Sequence, residues 1–278
     1  MAIEPEEYAL KMPVRSNPIL EKLAPLPGRY PLLPDLLPQQ ELALLCRMLH
    51  REGYDDHIAG HITVAQSDGS FLVNPWELAW DELTAADIIR VNAEGRVIEG
   101  SWNVTPAIGL HLAVHRNRHD LKVAIHNHPR FGSIWSAAGR IPPVYDQTAG
   151  QVEGDPVLYD EYAGTVDGLS EAEAAAASLG DAKWAILRNH GVFIVAKDIR
   201  QAHLRAITLE HRCRLAWQVE ALGGGQPVSD PETLKVAQMS DDIGFPFLWE
   251  AMARREIRHD PAVLDDDRHD GVRQFMER

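Results

Sequence analysis

The chain has 278 residues, of which 45% are hydrophobic, and a formal charge of -14 at neutral pH. That length and apolar content suit one compact domain of about 200 to 220 residues with terminal extensions, while the acidic balance argues against nucleic-acid binding, which needs basic surface to neutralise phosphates. The longest apolar stretches are strand-sized and broken by charge, which excludes a membrane helix, and Cys46 and Cys213, each in a helical pattern, suggest buried thiols rather than a disulfide framework or a cysteine metal site.

Residues 1–37 carry Pro5, Pro13, Pro18, Pro25, Pro27, Pro31 and Pro34, a density that prevents a long helix and reads as an N-terminal arm. The opening Met1-Ala-Ile-Glu-Pro-Glu-Glu lacks the basic and apolar regions of a signal peptide, so a cytoplasmic location is expected. From Gln39 to Glu52, Leu42, Leu45, Met48 and Leu49 recur at helical spacing, with Gly53 as terminator. Two strands then follow around Ser67-Asp-Gly69, and Val91 to Glu99 repeats the pattern around Gly95. A short helix capped by Thr84 lies between these hairpins. Thr105-Pro106 opens a helix running through Arg116, since threonine caps and proline is tolerated in the first turn. In that helix His111 and His115 are four residues apart; no protease-type glutamate accompanies them, so His111 is expected against the sheet and His115 in solvent.

The next stretch, Lys122-Val-Ala-Ile-His-Asn-His-Pro129, is the most informative in the chain. Side chains alternate along a strand, so His126 and His128 share a face while Val123 and Ile125 take the other. Two imidazoles converging in this way are part of a first-row metal site. Another histidine, His190, lies in Asn189-His190-Gly191 between two apolar runs that read as adjacent strands. By itself His190 reads better as a turn residue in an unusual backbone conformation; together with His126 and His128 it completes a metal site.

The segment from Phe131 to Ala138 suggests a small helix, and the polar loop from Gly139 to Gly164 is a place for substrate contacts, with Gln147 and Tyr162 as candidates. Ser170-Glu-Ala-Glu173 is a capping box opening an alanine-rich helix. Arg200 to Leu222 is a long helix stopped by Gly223-Gly-Gly225. Residues 226–278 form a C-terminal extension, helical but interrupted by Gly244 and Pro246, ending in an acidic tail around Asp265-Asp-Asp267 that reads as solvated. Phe71, Trp76, Trp80, Trp102 and Trp135 are either core or the walls of an aromatic pocket.

Gly60-His-Ile-Thr-Val64, Pro106 with Leu110-His-Leu-Ala-Val-His115, Ala124-Ile-His-Asn-His128 and Leu187-Arg-Asn-His-Gly-Val192, in this order, resemble the class II aldolase/adducin family over roughly residues 38–225. The resemblance implies a three-layer α/β/α domain with a central, largely antiparallel or mixed sheet. It also implies one divalent metal per subunit on His126, His128 and His190, and a homotetramer with active sites between subunits. Imidazole accepts zinc, manganese and iron alike. Sugar-phosphate aldolases of the family use a Ser-Ser-Glu segment, whose serines hold phosphate and whose glutamate is the acid/base. Here that segment is Thr105-Pro106-Ala107, and alanine cannot move a proton. The family's Gly-Asn is replaced by Gly60-His61.

These departures resemble the family's decarboxylases of hydroxylated aromatic carboxylates and its iron-dependent oxygenases of aminocoumarin biosynthesis. The expected function is a divalent-metal-dependent carbon-carbon lyase, a decarboxylase of a small-molecule hydroxy or oxo carboxylate. His61 is the catalytic candidate, binding the carboxylate or protonating the product, and Thr105 joins Gln147 and Tyr162 as a substrate contact. An iron(II) oxygenase, an aldolase on a non-phosphorylated substrate and a non-catalytic adducin-like module are the alternatives.

Overall fold

The computed structural model describes residues 32–160, 169–243, 245 and 247–266. Tyr162, most of the proline-rich arm, the side chains of Ser170 and Glu171 in the capping box and the end of the acidic tail lie outside the described residues.

Eight strands form one sheet in the order β4-β3-β2-β1-β5-β8-β7-β6. They are β1 (His61–Ala65), β2 (Phe71–Val73), β3 (Ile89–Val91), β4 (Val97–Glu99), β5 (Val123–Asn127), β6 (Val157–Tyr159), β7 (Trp184–Leu187) and β8 (Gly191–Ala196). Every neighbouring pair is antiparallel except β6 and β7, so the sheet is mixed and built largely from hairpins. Both tight turns expected around Gly69 and Gly95 form, with those glycines at positive φ.

Seven α-helices among the described residues cover the two faces: α1 (Pro38–Arg51), α2 (Ile108–Asn117), α3 (Arg130–Ala138), α4 (Leu169–Leu179), α5 (Ile199–Ala221), α6 (Pro231–Ile243) and α7 (Leu248–His259). The alternation along the strands decides which side chains meet which layer. Val123 and Ile125 of β5, with Val192 and Ile194 of β8, pack on Leu42, Leu45 and Met48 of α1, Ala206 and Leu209 of α5 and Trp249 of α7. Ala124, Phe193 and Val195 point the other way, onto Leu110, Ala113 and Val114 of α2 and Ala172, Ala175 and Ala176 of α4. Each such Leu or Ile withdrawn from water contributes about 1.5–3 kcal/mol. Small alanines on α4 let it lie close to α2. The chain therefore folds as three layers, α/β/α, around one open mixed sheet.

Two local expectations change. Helix α2 begins at Ile108 rather than at Thr105; the Thr105 hydroxyl instead accepts from the Ala107 amide at 3.3 Å and caps the turn before the helix. His115 is buried, at 6% exposure, because Phe71 and Thr63 of the neighbouring strands cover the face on which solvent was expected. The aromatic residues serve mainly as core. Trp80 and Trp135 are buried and donate to the carbonyls of Gly60 and Cys213, Phe71 and Trp102 pack on the cluster around Val91 and Leu112, and Trp76 is exposed. Both cysteines are buried and free. None of the described helices is long and apolar enough to cross a membrane.

Candidate metal centre

His126 and His128 leave the end of β5 on the same face, and His190 stands immediately before β8. Because β5 and β8 are paired, with Asn127 opposite Val192, the three histidines are brought to one end of the sheet. One ring nitrogen from each lies within 4.8 Å of the others. The ring centroids are 4.8–4.9 Å apart in every pairing. The turn that presents His190 has its unusual backbone at Asn189, φ 56°, and not at the histidine. Ser136 of α3 holds this turn, its hydroxyl donating to the Leu187 carbonyl and accepting from the His190 amide at 2.9 Å.

Hydrogen bonds choose the tautomers. His126 Nδ1 lies 2.9 Å from the Val192 carbonyl, which can only accept, so that nitrogen carries the hydrogen and Nε2 keeps its lone pair. His128 Nδ1 lies 2.5 Å from the Asp56 carboxylate, with the same consequence. Nε2 of His128 is buried and has no hydrogen-bond partner among the described residues. A buried lone pair without a donor is costly, and a cation is what this arrangement would satisfy.

The electrostatics agree. Burial first, and then the neighbouring His61, His190 and His128, hold His126 well below the usual imidazole range. Burial and then His128 bring His190 down to about 4. Neutral imidazole is the form that ligates a metal, and the three rings fit a divalent cation with coordination positions left for a reactant.

Two glycines make room. A Cβ on Gly191 would sit 2.4 Å from the His128 ring and 2.5 Å from the Asn127 carbonyl, and one on Gly60 would meet the Asn127 side chain at 2.0 Å. A side chain at either would push apart the strand ends that carry the histidines.

His61 begins β1 directly across from His126, the ring centroids 4.9 Å apart, which places it on the same face at the edge of the triad. It is 3% exposed, and burial, then His111, His128 and His190, lowers its pKa well below the usual value. His61 is therefore a neutral imidazole at pH 7, able to donate one hydrogen bond but carrying no acidic imidazolium proton. Thr105 is buried just ahead of α2. Gln147 is exposed in a loop tied to α5 by the Asp146–His211 contact at 3.0 Å, with Leu234 of α6 against Gly150; among the described residues no contact places it with the triad. Asp56 and Ser136 are missing from the sequence reading. The acidic pair Asp55-Asp56 just upstream of Gly60-His61 was a usable signal for the first; nothing in the sequence around Ser136 pointed to the second.

The model of the class II aldolase and adducin N-terminal domain matches residues 40–217. The chain belongs to the class II aldolase and adducin family. It is 27% identical over 79% of its length to a 3,4-dihydroxyphthalate decarboxylase of Arthrobacter keyseri, 92% of which is covered. It is 30% identical over 67% of its length to a 4-hydroxy-3-prenylphenylpyruvate oxygenase/4-hydroxy-3-prenylbenzoate synthase of Streptomyces roseochromogenus subsp. oscitans, of which 69% is covered. Among solved structures, L-fuculose 1-phosphate aldolase from Glaciozyma antarctica PI12 superposes with a TM-score of 0.71 at 26% identity, covering 83% of this chain and 96% of the other. The fold is thus shared with sugar-phosphate aldolases, whereas Ala107 stands where the sequence resemblance expects their glutamate.

Proposed function

We propose that the protein is a divalent-metal-dependent carbon-carbon lyase, a decarboxylase of a hydroxy or oxo carboxylate whose scissile carboxylate lies beside His61. The observation that carries this reading is the convergence of three imidazoles, with the Nδ1 atoms of His126 and His128 committed to the Val192 carbonyl and the Asp56 carboxylate and the Nε2 of His128 buried without a hydrogen-bond partner among the described residues. A zinc, manganese or iron ion on His126, His128 and His190 would supply a Lewis acid that draws charge from the breaking bond. His61, held neutral, donates a hydrogen bond to the carboxylate and orients it. Thr105, buried before α2, is proposed with Gln147 and Tyr162 as a contact to the substrate. Burial of His61 and His126 keeps water from that side of the reacting group. The identity to a dihydroxyphthalate decarboxylase supports an aromatic hydroxy acid as the substrate class. A homotetramer is the assembly proposed with this activity.

The test begins with metal analysis of protein purified without added metal. A screen of hydroxybenzoates, mandelates and 2-keto acids for carbon dioxide release follows. Release abolished by chelator and restored by one metal is the expected outcome; release indifferent to chelator overturns the reading. The similarity to a prenylphenylpyruvate oxygenase favours a second reading, an iron(II) oxygenase that decarboxylates oxidatively. Oxygen uptake by iron-loaded protein separates the two.

A further inference from the structure

Behind His61 the sheet face carries a row of buried polar side chains that the proposed chemistry leaves without a task. His61 Nδ1 is 2.8 Å from His111 Nε2. The other nitrogen of His111, Nδ1, is 2.9 Å from the Thr63 hydroxyl, and the same hydroxyl is 2.8 Å from His115 Nε2. Thr63 and His111 are fully buried, and His61 and His115 nearly so. Strand alternation puts Thr63 on the face of His61, and the four-residue helical repeat puts His115 on the face of His111, so sheet and helix supply two members each. Phe193 against His111 and Phe71 against His115 hold the rings at centroid distances of 5.0 and 4.9 Å.

Such a row has only two internally consistent arrangements. A hydroxyl has one hydrogen, so of the two imidazole nitrogens facing Thr63 one receives it and the other must donate. A neutral imidazole also has one, so the choice made at Thr63 passes through His111 and fixes which nitrogen of His61 is protonated. We propose that Thr63, His111 and His115 are positioning residues that set the tautomer of His61, the hydrogen bonds running from His115 through Thr63 and His111 so that His61 presents its Nε2–H at the edge of the triad. The direction rests on the reading of His61 as the donor to a substrate carboxylate, since a carboxylate only accepts. Leucine or phenylalanine at these positions would fill the same space without the cost of desolvating four polar groups; a chain whose terminal atom faces the reacting group gives that cost a purpose.

Thr63 is the point at which to break the chain. Valine has nearly the shape of threonine and suits a strand between Ala124 and Val73. Nitrogen-15 spectra of the zinc-loaded, histidine-labelled protein report the tautomer without any turnover. In the native protein His61 is expected to show a protonated Nε2 and a bare Nδ1; Thr63→Val is expected to mix or reverse them, and Thr63→Ser to restore them. Where a substrate is in hand, Thr63→Val should lower kcat/KM by about tenfold or more at unchanged zinc content, with Thr63→Ser close to native. Should Thr63→Val fail to fold, His115→Phe removes the far end of the chain and is expected to alter the His61 signals in the same way. A His61 protonated on Nδ1 in the native protein, or signals indifferent to both substitutions, overturns the inference. A shifted tautomer in a protein that decarboxylates nothing overturns the proposed function and leaves the chain standing.

Discussion

Asp56 reaches His128 from a loop 72 residues earlier in the chain, and its carboxylate oxygen is 2.5 Å from Nδ1. A carboxylate behind a ligating histidine fixes the ring, dictates the tautomer and makes the opposite nitrogen more basic; losing it typically costs 10–100-fold in metal affinity or activity. Asp56→Ala is therefore expected to weaken zinc binding by about 10–100-fold in competition with a chromogenic chelator. Asp56→Asn, whose amide oxygen still accepts from Nδ1–H, should lose less. Equal affinities for all three proteins would mean that His128 is oriented by its packing alone. The acidic pair Asp55-Asp56 was visible in the sequence, but its aim at His128 was not, for a physical reason. The ligands sit on a strand, where a period of two is readable, whereas Asp56 sits in an irregular loop whose aim is fixed only by the fold around it. His61 and Thr63 were readable together by the same period, while the partnership of Thr63 with His111 and His115 needed the crossing of β1 by α2.

At the scale of elements, strands and helices were legible because their apolar periods match their burial. β5, β8 and α5 fall close to the expected residues, whereas α2 starts late because Thr105 caps a preceding turn. The least legible feature joins two elements end to side. Glu210, buried in the middle of α5, accepts from the amides of Phe131 and Gly132 at 2.8 and 2.9 Å and so caps α3, the helix that follows His128 and Pro129. A lone glutamate in a long helix reads as surface, yet it is 5% exposed. Burial pushes its pKa up to about 7, against the opposing pull of those two amides and of Arg214 and Arg130. The folded state thus keeps a proton that the unfolded chain releases near 4.5. Stability from this group is full at pH below about 4.5, declines as pH rises toward about 7, and is flat above. The whole decline is on the order of 3 kcal/mol. Glu210→Gln removes the titration, so its stability relative to the native protein should rise through this window and level off near neutrality. Urea denaturation at a series of pH values measures it, and parallel curves would show that Glu210 ionises in the fold as it does in water.

The C-terminal segment beyond Gly225 decides how the whole molecule is held together. α6 and α7 do not hang beside the sheet: Trp249 and Ala253 of α7 are buried in the same cluster as Leu42 and Ala206, and Asp241 of α6 is buried at 1% exposure. Asp241 receives the Arg205 guanidinium at 2.6 and 2.9 Å and the Lys183 ammonium at 2.9 Å, joining α6 to α5 and to the start of β7. Arg205 in turn donates to the Val195 carbonyl of β8. Burial alone would raise the Asp241 pKa, but hydrogen bonds and charge from Arg205 and Lys183 outweigh it and hold the carboxyl below its usual range. The stabilisation is accordingly present at neutral pH and is lost as pH falls through the acid range. Removing one partner of a buried pair leaves the other charge stranded, a loss of about 3–5 kcal/mol, whereas replacing both with apolar groups is often neutral. Asp241→Ala should therefore cost about 3–5 kcal/mol in chemical denaturation. Asp241→Leu combined with Arg205→Met should recover most of that, because the stranded guanidinium is gone. If the single substitution cost less than about 1 kcal/mol, as an exposed pair would, α6 would be held by its apolar face and the ion pair would be incidental to the fold.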